Sequence, residues 1–377
     1  MEQAGVYIHV PFCRARCSYC DFATGTYQAQ AAARYVRALV AEIDACARAD
    51  RPAVDTIYFG GGTPSLLSPA QLEAILAAVH ARFRVARDAE VTLELNPGTV
   101  TPELLRAFRA AGINRASFGL QTFDDEQLRR LGRTHTAADA RRTFADLHAA
   151  GFRNVSFDLI AGLPGQTLAE WAHNLDEALA LQPAHLSLYL LEVHEGTPLA
   201  DQIARGFWPA PDADTAAEMY RLLLARTEAA GYEHYEISNF CRPGRESRHN
   251  LKYWTGAPYY GFGNSAHSFD GARARWANER DAARYVQLIE AHRAATVETV
   301  ELDERDASAE ALFLGLRLAR GVNLAAHRAR FGMDVRAERA ADLARFDAAG
   351  LIELDGDVLR LTPAGALLSN EVFAAFV

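Results

Sequence analysis

The sequence predicts an α/β fold: an open, partial barrel of six β/α units, followed by a small winged-helix-like α+β module. Three observations carry that prediction. Six short β-branched or aromatic runs recur in the first half, each followed by an Ala/Leu/Arg-rich helical stretch. Strands alternating with helices imply parallel pairing through right-handed crossovers. The polar and glycine-rich groups gather where those runs end, which is the ligand side of parallel β/α folds. Past Leu302 the pattern changes to helical runs and a hairpin. Six units are too few to close an eight-stranded barrel, so the barrel is expected to stay open.

Each element has its own signal. Val6–Val10 is the first run and leads into a loop holding Cys13, Cys17 and Cys20. Thr56–Phe59 ends on Gly60-Gly61-Gly62-Thr63-Pro64, and Val91–Leu95 carries Glu94 before Asn96-Pro97. Ala116–Leu120 ends at Gln121; Val155–Ile160 contains Asp158 and precedes Gly162-Leu163-Pro164-Gly165; Leu186–Leu191 is the sixth run. Between them, Ser68-Pro69-x-Gln71 joins an N-cap, a first-turn proline and a capping-box glutamine. Thr101-Pro102-Glu103 and Thr167-x-x-Glu170 have the same logic, and Gly112, Gly151 and Gly231 are expected C-terminal caps. In the tail, Ala307–Ala319, Leu324–Phe331 and Asp334–Ala349 read as helices, and Asp355-Gly356 between apolar alternations reads as a hairpin. The expected divisions are 1–235 for the barrel, 236–300 for a connecting segment and 301–377 for the winged-helix-like module.

The cysteine loop carries the chemistry. Cys13, Cys17 and Cys20 spell C-x3-C-x2-C, and Cys46 and Cys241 stand alone. Three thiolates held this close suit three corners of a [4Fe–4S] cube, with one iron left open to a ligand. Structural zinc normally uses two separated pairs. A dithiol reading of Cys17 and Cys20 leaves Cys13 without a role. Both remain as alternatives on the residues alone.

Composition excludes several classes. The chain has 377 residues, 23% of them charged, with a net charge of −9. That charge gives no drive towards nucleic acid or anionic lipid. The tail from Glu301 holds nine basic against thirteen acidic residues, so its winged-helix pattern reads as a protein-contact or substrate-covering module. No apolar run is long enough for a membrane span and the N-terminus has no secretory pattern. Few, clustered cysteines suit a reducing cytoplasm.

Taken together, these motifs resemble the radical S-adenosylmethionine (SAM) superfamily. More narrowly, Tyr7-Ile8-His9-Val10-Pro11-Phe12-Cys13, Tyr58-Phe59-Gly60-Gly61-Gly62-Thr63-Pro64-Ser65, Ser117-Phe118-Gly119-Leu120-Gln121-Thr122-Phe123 and Asp158-Leu159-Ile160-Ala161-Gly162-Leu163-Pro164-Gly165-Gln166 resemble the oxygen-independent coproporphyrinogen III oxidase family. The resemblance implies a partial (β/α)6 radical-SAM barrel in which Cys13, Cys17 and Cys20 hold a [4Fe–4S] cluster whose open iron chelates SAM. It places Gly61, Gly62 and Thr63 on the methionine part, Glu94 and Arg133 on its charged groups, and Gln121 and Asp158 on the ribose. Tyr7, Tyr19 and Ile160 would pack on cluster or adenine. On residue type alone Arg133 also reads as a surface helix arginine.

Within the family, the oxidases commonly carry a further cysteine where Phe22 stands, and a longer N-terminal arm. This chain is more similar to the haem chaperone (HemW) branch, whose His-Asn-x-x-Tyr-Trp signature appears as His249-Asn250-Leu251-Lys252-Tyr253-Trp254. That similarity implies haem binding and delivery to a haem-receiving apo-protein, with flavodoxin or ferredoxin as reductant. Within the hexapeptide, His249 is the expected haem ligand, Tyr253 and Trp254 are stacking rings, and Lys252, the single lysine, is a propionate partner. His267 and Cys241 are rival ligands. Without the resemblance the segment reads as a capped, half-buried helix. Porphyrinogen oxidation and a non-catalytic haem or iron–sulfur binding protein are the alternative functions.

Overall fold

A computed structural model describes residues 3–46 and 51–376. Met1, Glu2, residues 47–50 and Val377 lie outside it, and with them the outer ends of the first and third expected divisions. All six expected runs are strands: β1 (Ala4–Val10), β2 (Ala53–Gly61), β3 (Arg84–Leu95), β4 (Arg115–Gln121), β5 (Asn154–Ala161) and β6 (His185–Leu190). They pair in parallel in chain order.

Alternation along each strand divides the barrel into two environments. Val6, Ile8, Phe59, Leu93, Phe118, Phe157 and Leu186 point outward and are buried under helices in one core. Residues of the opposite parity point into the lumen, and most are polar: Tyr7, His9, Thr56, Tyr58, Glu94, Ser117, Asp158 and Ser187. A lumen built this way is a site, since an apolar filling would have closed it.

The covering helices begin and end where the caps require. Ser68 and Thr167 close full capping boxes at Pro69–Arg82 and Leu168–Ala180, and Thr101 caps Pro102–Ala110. Gly112, Gly151 and Gly231 follow their helices with φ of 107°, 91° and 76°, which a Cβ would oppose.

Residues 236–300, expected as a connection, instead build both edges of the sheet. On one side β7 (Glu233–Glu236) and β8 (Asn239–Cys241) add antiparallel strands beyond β6. On the other, β9 (Tyr259–Phe262) pairs in parallel with β1 as a seventh parallel strand. It is followed by β10 (His267–Phe269), β11 (Ala274–Asn278) and β12 (Thr296–Glu301). The result is one twelve-stranded sheet. These strands escaped the sequence pattern because most have five residues or fewer and β9 is buried on both faces, so no alternation marks it.

The tail folds as a winged-helix-like module around its own apolar core. Helices Glu304–Leu316 and Leu324–Phe331 match expectation, whereas the third splits at Arg339 into Val335–Glu338 and Ala340–Ala348. The hairpin is present, with Asp355 facing Val358 across Gly356-Asp357, and Val322–Asn323 adds a third strand. The module joins the barrel through Ile237 N–H to Arg317 O at 3.1 Å and Ala319 N–H to Tyr235 O at 3.0 Å. Arg317 also lies over the Trp254 ring at 4.3 Å, and Arg275 Nε donates to Glu310 at 2.9 Å. Among the described residues no helix is long and apolar enough to cross a membrane.

Phe157 sits between Phe118 and Phe144 at 4.6 and 5.0 Å, wholly buried. Phe157→Ala is expected to cost about 3–5 kcal/mol, as large-to-small changes in packed cores do. Chemical denaturation would show it as a lowered midpoint, and an unchanged midpoint would contradict the packing described.

Candidate functional site

The first turn of the site follows directly from β1. Phe12–Cys13 pairs with Gly25–Thr26, closing the cysteine loop on itself. Cys20 N–H donates to Cys17 O at 3.3 Å, and all three thiols are partly exposed. Burial pushes the Cys13 and Cys20 thiols above their ordinary range, and the neighbouring cysteines push further in the same direction. Three thiolates here therefore require a compensating positive centre. Zinc bonds of about 2.3 Å would draw the sulfurs to about 3.8 Å apart. Among the described residues, the group of three ligand atoms lying within 4.8 Å of one another is Glu233, Cys241 and Glu246. The three loop sulfurs do not all lie within 4.8 Å of one another.

Four strand ends converge on this loop through one hydrogen-bonded chain. Arg133 donates to Cys17 Sγ at 3.5 Å, to Asn96 Oδ1 at 2.7 Å and to the Gly119 carbonyl. Asn96 Nδ2 donates to Thr63 Oγ1 at 2.9 Å, and Thr63 donates to Cys13 Sγ at 3.7 Å. Cys17, Thr63, Asn96 and Arg133 line one cleft. Arg133 thus lies inside this cleft, against the surface reading. The sequence quoted Asn96 but gave it no role.

The glycine run works by close approach. Its N–H groups are taken internally: Gly61 by Glu94 Oε2 at 3.1 Å, Gly62 by Val10 O at 2.8 Å and Thr63 by Phe12 O at 2.8 Å. A Cβ at Gly61 would meet the His9 ring at 2.6 Å, and one at Gly62 would meet Phe12 O at 2.7 Å. Gly62 therefore lets β2 close onto the strand end before Cys13.

Deeper in the lumen stand two carboxylates. Glu94 accepts from Tyr58 OH at 2.7 Å; burial lifts its pKa to about 7, with the Tyr58 hydrogen bond pulling the other way. Asp158 accepts from Ser117 Oγ at 3.5 Å and is also raised by burial, opposed by Ser187 and by the charge of Arg115. Arg115 was missed from sequence. It is 2% exposed on the lumen face of β4, and the strand pattern hid it because a charge at a strand start reads as surface. Gln121 ends β4 at φ 71°, at a register shift opposite Asp158 and Leu159, a backbone state uncommon outside glycine. Ile160 packs with Leu131 and Leu163, and Tyr19 lies against that cluster beside the cysteines. Tyr7 bonds His9 Nδ1 at 3.1 Å and stacks on Tyr58.

The hexapeptide does not present its histidine. His249 is 1% exposed on helix Arg248–Thr255, with Nδ1 on Thr56 Oγ1 at 2.8 Å and Nε2 on Tyr253 OH at 3.0 Å. Its ring stacks on Tyr58, and burial lowers its pKa to about 3. Neither nitrogen is free for iron, so the expectation of His249 as haem ligand is corrected to a lumen role. Lys252 is likewise committed, to Asp55 at 2.6 Å and Gln3 O at 2.8 Å, which removes it as a propionate partner. Trp254 stacks under Arg317. Cys241 is wholly buried, its thiol pushed up to about 12 by that burial. His267 alone of the three expected candidates is exposed.

A parallel partial barrel whose mouth carries a three-cysteine loop defines a radical SAM protein. The Radical SAM superfamily profile matches residues 7–178, and the HemN C-terminal domain profile matches 302–368. The chain belongs to the heme chaperone HemW family. It is 37% identical to the heme chaperone HemW of Bacillus subtilis (strain 168), over 98% of both chains. It is 41% identical to that of Mycobacterium tuberculosis (strain H37Rv), over 98% of this chain and 93% of the relative. The solved structure of the Escherichia coli coproporphyrinogen III oxidase (HemN) superposes with TM-score 0.86 at 25% identity, covering 100% of this chain and 90% of that one.

Glu94 yields a pH prediction. Its folded pKa of about 7 lies above the ordinary 4.5, so the folded state binds the proton more tightly. The resulting stabilisation is complete below 4.5 and lost as pH rises through 7. In ligand-free protein, urea midpoints at pH 5 and pH 8 are expected to differ less for Glu94→Gln than for wild type. Equal differences would refute the buried-acid assignment.

Proposed function

We propose that this chain is a radical-SAM-type haem chaperone. It binds a [4Fe–4S] cluster and SAM at the barrel mouth, binds haem, and transfers the haem to an apo-protein. The observation that carries the reading is the hydrogen-bonded chain from Arg133 through Asn96 and Thr63 to the cysteine loop. It reaches two of the three thiols of the loop, Cys17 and Cys13.

Bound there, the cluster would supply an open iron for SAM and a one-electron redox centre. The chain's residues supply the rest. Cys13, Cys17 and Cys20 would hold three irons, and Arg133 offsets thiolate charge while remaining available to fork a carboxylate. Glu94 fits an ammonium group: Tyr58 and Gly61 fix both its oxygens. Asp158, set by Ser117, fits ribose hydroxyls, with Gln121 beside it. Gly61, Gly62 and Thr63 would border the methionine part, and Tyr7, Tyr19 and Ile160 the cluster and adenine. A reducing cytoplasm with a flavodoxin or ferredoxin as electron donor fits this chemistry.

A second reading, coproporphyrinogen III decarboxylation, is favoured by the structural likeness to the Escherichia coli oxidase. Against it stands Phe22, 61% exposed, where the oxidases commonly carry another cysteine. Anaerobic, reduced protein titrated side by side with haem and with coproporphyrinogen distinguishes the two. Stoichiometric haem binding without porphyrinogen turnover supports the chaperone, and turnover overturns it.

Cys17→Ser is expected to give protein lacking the brown, reducible chromophore, read as iron and sulfide content after anaerobic reconstitution. Retention of full content would remove the cluster assignment. Asp158→Ala is expected to weaken SAM binding by calorimetry while cluster iron stays at the wild-type level. Parallel loss of both would make Asp158 a folding residue.

A further inference from the structure

We propose that haem is held in a pocket bordered by the residues that follow Cys20, with His267 as its iron ligand. This rests on the chaperone reading and adds the place and the ligand. The pocket has a volume of about 380 Å³ and is walled by Tyr7, Tyr253 and Tyr259, with Phe22, His267 and Arg280 at its rim. That volume is at the small end for ligand sites, about 300–1,000 Å³, and His267, Phe22 and Arg280 are exposed. A macrocycle would therefore be gripped along one edge, with the opposite edge left at the surface for a recipient to take.

Each chemical requirement has a residue. Flat aromatic walls suit a macrocycle face, and Tyr253 is fixed by its hydroxyl bond to His249. In this way the hexapeptide reaches the pocket through its tyrosine, while its histidine does the holding. Iron needs an imidazole with an uncommitted nitrogen. His249 has none, and His9, also in this pocket, is engaged with Tyr7 OH at 3.1 Å and Ala23 O at 3.3 Å. The His267 ring has no hydrogen-bond partner among the described residues. Its backbone is held firmly all the same. Ser265, two residues before it, takes φ 58°, and Ser268 Oγ accepts from Gly261 N–H at 2.9 Å. A haem propionate needs a cation at the rim. Arg280 is exposed there, positioned by its own carbonyl on Asn264 Nδ2 at 2.9 Å and by its guanidinium on Asp21 O at 3.0 Å.

Asp21, Phe22 and Ala23 directly follow Cys20 and form one wall of the pocket. Cluster loading and haem binding would thus share a loop.

The test is titration of the full-length, cluster-reconstituted protein with ferric haem, followed by absorption and resonance Raman spectra. His267→Ala is expected to bind haem at least about tenfold more weakly and to lose the histidine-ligated Soret band. Cluster iron and SAM binding serve as its folding controls. His267→Cys is expected to move the Soret band to a thiolate-ligated position, and Arg280→Ala to weaken binding while leaving the band in place. If His267→Ala and His267→Cys both keep the wild-type affinity and spectrum, the assigned ligand is wrong and the chaperone reading stands. If the wild-type protein takes up no stoichiometric haem, the reading and the site fall together.

Discussion

One guanidinium organises the mouth of this barrel. Arg133 bonds the side chain that follows β3, a carbonyl of β4 and the middle cysteine of the loop after β1, and through Asn96 it reaches the hydroxyl that touches Cys13. A network of this kind stands or falls as a unit, because each member left without its partner in a semi-buried site costs about 1–3 kcal/mol. The same cation offsets the thiolates it positions. Structure and electrostatics are therefore served by one residue.

Below the mouth, the open barrel has a second problem, a lumen lined by buried polar groups. Arg115 enters from β4 and its charge opposes the burial that raises Glu94 and Asp158. From the other side the helix Arg248–Thr255 acts as a plug. His249 caps Thr56, Lys252 pairs with Asp55, and Trp254 carries Arg317 of the C-terminal module. Six consecutive residues thus tie the lumen, the floor of β2 and the winged-helix-like module together. Their density of bonded polar groups accounts for a motif that reads, in one dimension, like a ligand site.

Much of this was legible in the chain itself. The six parallel strands, the capping boxes at Ser68 and Thr167 and the three-cysteine loop each have a local cause, written in neighbouring residues, and formed where expected, while the hairpin turn expected at Asp355-Gly356 sits one residue on, at Gly356-Asp357. The short strands β7 to β12, added outside the six, have no such cause. Three to six residues carry too little periodicity, and they become strands because an open sheet offers unpaired edges.

The division in the site follows the same line. The sequence by itself determined which residue types stand at the strand ends, since a period of two fixes which side chains of a strand share a face. Only the tertiary structure decided which of them are free. His249 and His267 are both histidines in glycine- and aromatic-rich segments, and nothing local distinguishes them. Thr56 and Tyr253 engage both nitrogens of the first, while the second is exposed at the start of β10. Hydrogen-bond saturation is a property of contacts distant in sequence, and it is there that ligand and scaffold part.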